Sequence, residues 1–164
     1  MTERISFQGE PGANSHIAAH AAYPDLEPLP CASFEDAFAA ASEGQARYAM
    51  IPVENSVAGR VADVHHLIPE SGLYIVGERF VPIRHQLLGL KSATLEGLTH
   101  VRSHPQALGQ CRKQLRDLGV IAVKTADTAG AAREIAELAD PTIGALASSL
   151  AAEIYGLQVL KADI

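Results

Sequence analysis

Short apolar runs alternate with helical stretches along nearly the whole chain, and this rhythm constrains the fold more than any other feature of the sequence. Residues 4–8, 29–32, 48–53, 73–90, 100–102, 120–124, 142–146 and 157–160 are apolar runs bounded by turn-forming residues, the mark of short strands in a buried sheet. The 73–90 run is long, and Pro82 is predicted to break it. Between the runs lie helices with readable starts. Ser33-Phe34-Glu35-Asp36 opens an Ala-rich helix that Gly44 can stop, and Ser103-His104-Pro105-Gln106 has capping-box spacing with Pro105 in the first turn. Leu108, Cys111, Leu115 and Leu118 then recur at helical spacing as far as Gly119. Asp127 or Thr128 can cap a helix running to Leu138, and Ser148 begins a shorter one that ends at Gly156. The fold class is therefore α/β. Because 73–90 does not fit a simple strand-helix-strand repeat, it is read as a strand passing between lobes. The first lobe is then residues 1–76, completed by residues near the C-terminus, and the second is residues 77–164, with a ligand cleft between them.

At 164 residues and 48% hydrophobic, the chain has enough apolar material for a real core. Its net charge of -6 comes without a basic stripe, which argues against a nucleic-acid partner. Glu3 and Arg4 stand near the start and no long apolar stretch follows. Neither a signal peptide nor a membrane span is expected, and the cytoplasm is the default location. Cys31 and Cys111 are isolated and lack CxxC spacing, so reduced thiols are expected.

Four strand-to-helix junctions carry hydroxyls, small residues and free backbone N–H groups. They are Gly9-Glu10-Pro11-Gly12-Ala13-Asn14-Ser15, Glu54-Asn55-Ser56, Ser103-His104-Pro105-Gln106 and Asp127-Thr128-Ala129-Gly130. At the second of these, Ser56 or Asn55 is expected to cap a helix carrying Val57, Val61, Val64, Leu67 and Ile68. Helix N-termini attract anions, so several such sockets on an acidic chain point to a small carboxylate or phosphate ligand. Nucleotide motifs are missing: GEPGANS lacks the GK[ST] ending of a P-loop, and no GxGxxG stands at the right spacing. A GxSxG elbow is missing too, which removes a serine hydrolase of that type. Of seven histidines, His16 and His20 are four apart on one helix face without a third ligand at a recognisable spacing, so no metal site is expected. His65 and His66 are adjacent and point to different sides, whereas His85 and His104 lie beside the expected cleft segments.

Six motifs in order, FQGEPGANSHIAA from Phe7, IPVENSVAGRV from Ile51, GERFVPIRHQLL from Gly77, SHPQALGQC from Ser103, DTAGAA from Asp127 and GALASSLAAEIYGL from Gly144, resemble the prephenate dehydratase family across essentially the whole chain. The resemblance implies a two-lobed, type 2 periplasmic-binding-protein-like fold and no metal or organic cofactor. It implies conversion of prephenate to phenylpyruvate, with loss of water and carbon dioxide, in phenylalanine biosynthesis. Asn55, Ser103, Gln110 and Glu54 carry over as the expected catalytic residues, with Ser56, His104, Gln106, Thr128 and Ser15 as substrate-binding neighbours. Glu54 has two readings: a general acid, if burial raises its pKa, or a solvated carboxylate orienting a neighbour. Family members continue into a Thr-Arg-Phe motif and an ACT regulatory domain. This chain stops at Ile164 before both, and impaired turnover is the expectation. The full-length enzyme is expected to be a homo-oligomer. Arogenate dehydratase and a non-catalytic two-lobed carboxylate-binding module stand as the rival readings.

Overall fold

A computed structural model describes residues 3–164. These residues divide into two compact units. One contains the described residues up to Glu10 together with Asn14–Pro82, and the other contains Pro11–Ala13 and Ile83–Ile164. The C-terminal residues thus all group with the second unit.

In the first unit, β1 (Arg4–Gln8) is the middle of a three-stranded parallel sheet, flanked by β2 (Glu27–Cys31) and β3 (Tyr48–Met50). Helices α1 (Asn14–Ala22) and α2 (Phe34–Ser42) supply the crossovers that parallel neighbours require. Ile5 and Phe7 of β1 are buried with Ala18, Ala19, Ala37 and Phe38 from the two helices. The buried Ser6 hydroxyl between them donates to the Ala37 carbonyl at 2.7 Å, so burying it leaves no orphan group. As the sequence predicts, the Ser33 side chain caps α2 by accepting from Asp36 N–H, and Gly44 follows the helix end at a positive φ of 78°.

The run expected as one strand over 48–53 pairs only through Met50. Beyond it, β4 (Glu54–Asn55) and β5 (Gly59–Arg60) form a small antiparallel hairpin, and α3 (Ala62–Glu70) follows. The expectation that Ser56 or Asn55 caps a helix is therefore corrected. The Asn55 side chain instead closes the hairpin turn, and α3 starts after Val61 with no side-chain cap. The 73–90 run also differs from its reading as a long strand. It pairs only in β6 (Gln86–Gly89), while residues 74–82 form no regular element and have no ladder partner among the described residues. Tyr74 and Phe80 are 89% and 90% exposed, so this stretch lacks the neighbour that would make it a strand.

The second unit is a five-stranded mixed sheet in the order β10-β6-β9-β7-β8, with β7 (His100–Ser103), β8 (Ile121–Lys124), β9 (Ile143–Ala147) and β10 (Gln158–Lys161). β7 is parallel to β8 and β9, while β6 is antiparallel to β9 and β10. The pleat sorts β9 into two cores. Ala145 and Ala147 pack with Leu88 against Ala131, Ala132 and Ile135 of α6 (Thr128–Leu138) and Ala151 and Ala152 of α7 (Ser149–Tyr155). Leu146 packs on the opposite face with Leu87, Val101, Leu108 of α4 (Pro105–Gln110), Leu115 of α5 (Arg112–Asp117) and Cys111 at the junction of the two helices. The helix expected to run unbroken from Leu108 to Gly119 is thus two pieces. Cys111 leaves helical geometry at φ -97° and ψ 11°, and Leu108, Cys111 and Leu115 all stay on the sheet. Asp127 and Ser148 cap α6 and α7 through Gly130 N–H and Ala151 N–H, and Gly156 ends α7 in the left-handed region.

Pro11–Ala13 packs on α7. The Ser148 hydroxyl donates to the Gly12 carbonyl at 2.6 Å, and Tyr155 Oη donates to the Pro11 carbonyl at 2.9 Å. Gly12 has φ +93°, and a Cβ there would lie 2.7 Å from the Ala151 Cα, so both conformation and space demand glycine. Gly12→Ala is expected to destabilise the protein by ~1–3 kcal/mol, read as a lowered midpoint in chemical unfolding.

Candidate functional site

The first unit presents Ser15 and the Glu54-Asn55-Ser56 turn. Ser15 is half-buried in the first turn of α1. Glu54 is exposed and stands opposite Arg60 in the hairpin register, and Ser56 is exposed in the turn. Asn55 is half-buried, and its Oδ1 accepts from both Val57 N–H and Ala58 N–H at 2.9 Å. An oxygen accepting twice is saturated, and this fixes the amide orientation. The Nδ2 group has no hydrogen-bond partner among the described residues, so Asn55 offers two fixed donors outward.

In the second unit the β7–α4 junction is built differently from its capping-box reading. Ser103 is fully buried, and its hydroxyl donates to the Leu146 carbonyl at 2.7 Å, tying β7 to β9. The cap of α4 is His104, one residue later, whose Nδ1 accepts from Gln106 N–H at 3.2 Å with Pro105 following in the first turn. Ser103 cannot cap because its side chain lies inside the sheet. Gln106 and Gln110 are exposed and four apart on α4. Gln110 Oε1 lies 2.6 Å from His85 Nε2, a pairing that spacing along the chain did not disclose. Thr128 is half-buried in the first turn of α6, beside the Asp127 side chain that accepts from Gly130 N–H at 2.6 Å. The structure therefore gathers Ser103, His104, Gln106 and Gln110 about one strand-to-helix junction, and holds Thr128 at the neighbouring one.

Three titrating groups show how burial sets charge. His16 stacks on Phe7 with ring centroids 5.1 Å apart, and its pKa is lowered, first by burial and then by the positive charge of His20. The Cys111 thiol is pushed up to about 11 by burial, so it stays protonated at neutral pH. Burial also raises Cys31. Among the described residues no group of three His, Cys, Asp or Glu is arranged to hold a metal ion, and no helix is long and apolar enough to cross a membrane.

Two units of parallel and mixed sheet, with polar side chains collected at strand ends, define an α/β protein. The sequence model of the prephenate dehydratase family matches residues 5–164, and the chain belongs to that family. A bifunctional N-acyl-homoserine lactone acylase/prephenate dehydratase of Komagataeibacter europaeus is 44% identical over 160 residues, 98% of this chain and 57% of that protein. The chloroplastic arogenate dehydratase/prephenate dehydratase 1 of Arabidopsis thaliana is 43% identical over 98% of this chain and 41% of that protein. The crystal structure of a prephenate dehydratase in complex with L-Phe from Arthrobacter aurescens superposes with a TM-score of 0.89 at 29% identity, covering 98% of this chain and 55% of that one. The chain thus spans roughly two-fifths to three-fifths of the length of these relatives.

The lowered pKa of His16 has a signed consequence. Above its ordinary 6.5 the ring is neutral whether the chain is folded or not, and the stabilisation is complete. As pH falls through that value the unfolded chain takes up the proton more readily, and stability declines. Melting temperatures followed from about pH 7.5 to about pH 5 should fall, and His16→Gln should flatten part of that fall. Cys111 should resist a thiol reagent in the native protein at pH ~8 and react once denaturant exposes it.

Proposed function

We propose that this chain is the catalytic region of a dehydratase that converts prephenate to phenylpyruvate, releasing water and carbon dioxide, as a step in phenylalanine biosynthesis. The observation that carries this reading is the match of the prephenate dehydratase model to residues 5–164. The polar chemistry supports it. Prephenate is a dicarboxylate with a ring hydroxyl, and loss of the hydroxyl and the ring carboxylate gains an aromatic ring. The protein has to hold two negative charges and help a departing oxygen accept a proton. Neutral amide donors suit the first task, because they bind carboxylates without adding a buried charge.

Asn55 is read as a substrate donor through Nδ2, since its oxygen is already committed to the hairpin. Gln110 is read the same way through Nε2, with His104, Gln106, Thr128, Ser56 and Ser15 as further polar contacts. Ser103 is assigned a supporting part: its proton is committed to Leu146, so it holds the junction in place and does not donate to substrate. Glu54, exposed in the hairpin, is read as the carboxyl nearest Asn55 in sequence and a candidate for proton transfer. The free thiols Cys31 and Cys111 favour the cytoplasm as its location. A second reading takes arogenate as substrate, with an amine in place of the side-chain keto group. It is favoured by the Arabidopsis relative, whose name carries both activities.

Asn55→Asp separates catalysis from folding. The carboxylate still accepts from Val57 and Ala58, keeping the turn, but the two donors become a negative charge. A hydrogen bond to a charged partner contributes about 1.5–3 kcal/mol, so kcat/KM for prephenate should fall roughly 10- to 150-fold with the melting temperature little changed. Phenylpyruvate formation is followed above the uncatalysed rate, with arogenate run alongside. Unchanged turnover in Asn55→Asp removes Asn55 from the site, and turnover of arogenate alone replaces the substrate.

A further inference from the structure

We propose that His85 is a positioning residue for Gln110, locking the glutamine amide so that its NH₂ group faces outward as a carboxylate donor; this rests on the reading of Gln110 as a substrate-binding residue. Gln110 is exposed at the last position of α4, where a long side chain has many rotamers open to it. What singles out one is the 2.6 Å contact between Gln110 Oε1 and His85 Nε2. An amide oxygen only accepts, so the ring nitrogen must carry the proton, and the Gln110 nitrogen turns away from the ring. That nitrogen has no hydrogen-bond partner among the described residues. The opposite tautomer would draw the NH₂ toward the ring and aim the oxygen outward, where it repels a carboxylate.

A lock works only if its own base is fixed. The His85 carbonyl accepts from Ile164 N–H at 3.0 Å, and Gln86 exchanges two 3.1 Å bonds with Asp163, one from Nε2 to Oδ1 and one from Asp163 N–H to Oε1. On the other side, the Cys111 thiol next to Gln110 donates to the Ile164 carbonyl at 3.4 Å. Asp163 and Ile164 thereby hold the backbone at His85 and the helix end to one another, which keeps the ring within reach of the glutamine.

The test combines side-chain amide NMR with calorimetric titration of prephenate on the full chain. His85→Phe keeps a ring of similar size and removes the donor, whereas His85→Gln supplies an N–H again. In the wild type the Gln110 NH₂ signals should stand apart from those of free glutamine side chains. They should collapse toward them in His85→Phe and return in part in His85→Gln. Prephenate affinity should fall ~10-fold in His85→Phe, recover in part in His85→Gln, and show no further loss when His85→Phe is added to Gln110→Ala. A purely structural histidine would cost the same in both backgrounds, and that result overturns the proposal. Gln110 signals unmoved by His85→Phe overturn it as well, while the function reading stands. Failure of the wild-type chain to bind prephenate sinks the function reading, and with it the role given to Gln110.

Discussion

The second unit is organised by the central strand β9, Ile143–Ala147, which is covered on both faces and beyond Ile143 carries only buried alanines on one of them. Ala145 and Ala147 let α6 and α7 lie close on the sheet, and Leu146 alone fills the opposite side with Leu87 and Val101. A sheet packed from both sides excludes water from its interior, so every polar atom sent inward needs a partner there. Ser103 meets that demand by donating to Leu146, and the bond brings the end of β7 into register with β9. The position of α4, and of the glutamines it carries, follows from this register.

Much of this architecture was legible because it rests on local chemistry. β1 begins and ends where the apolar run does, and Ser33, Asp127 and Ser148 cap their helices as short polar side chains before apolar periods should. The misreadings arose where a local signal had more than one physical use. The oxygen of Asn55 caps N–H groups in either context, and only pairing between Glu54 and Arg60 makes the turn a hairpin. Ser103 in a capping-box pattern looks the same as Ser103 inside a strand until Leu146 is placed beside it. An apolar run such as 73–90 has strand composition throughout, yet strand structure also needs a neighbour, and the neighbour is not written in the run itself. The pairing of His85 with Gln110, 25 residues apart, was invisible for the same reason.

Asn55 and Gln110 share a design. Each spends its amide oxygen on the protein and keeps its nitrogen for something else. In an isolated side chain the two ends of an amide are interchangeable by a rotation, and an anion gains only part of its time opposite a donor. Committing the oxygen removes that ambiguity before any ligand arrives, which lowers the ordering cost of binding. Both donors are neutral, so in a chain whose net charge is -6 neither residue adds a cation of its own.

The unpaired stretch at residues 74–82 bears on how the chain behaves in bulk. It has no ladder bonds among the described residues, and Tyr74, Ile75, Val76 and Phe80 are all exposed. Such a ribbon is a template on which other extended chains can stack, the first step toward insoluble cross-β material. Glu78 and Arg79 interrupt it at the centre, and two copies aligned antiparallel about either residue would set like charges opposite one another. In those registers the two charges oppose stacking of the segment on itself, a task performed by residues with no part in the fold's interior.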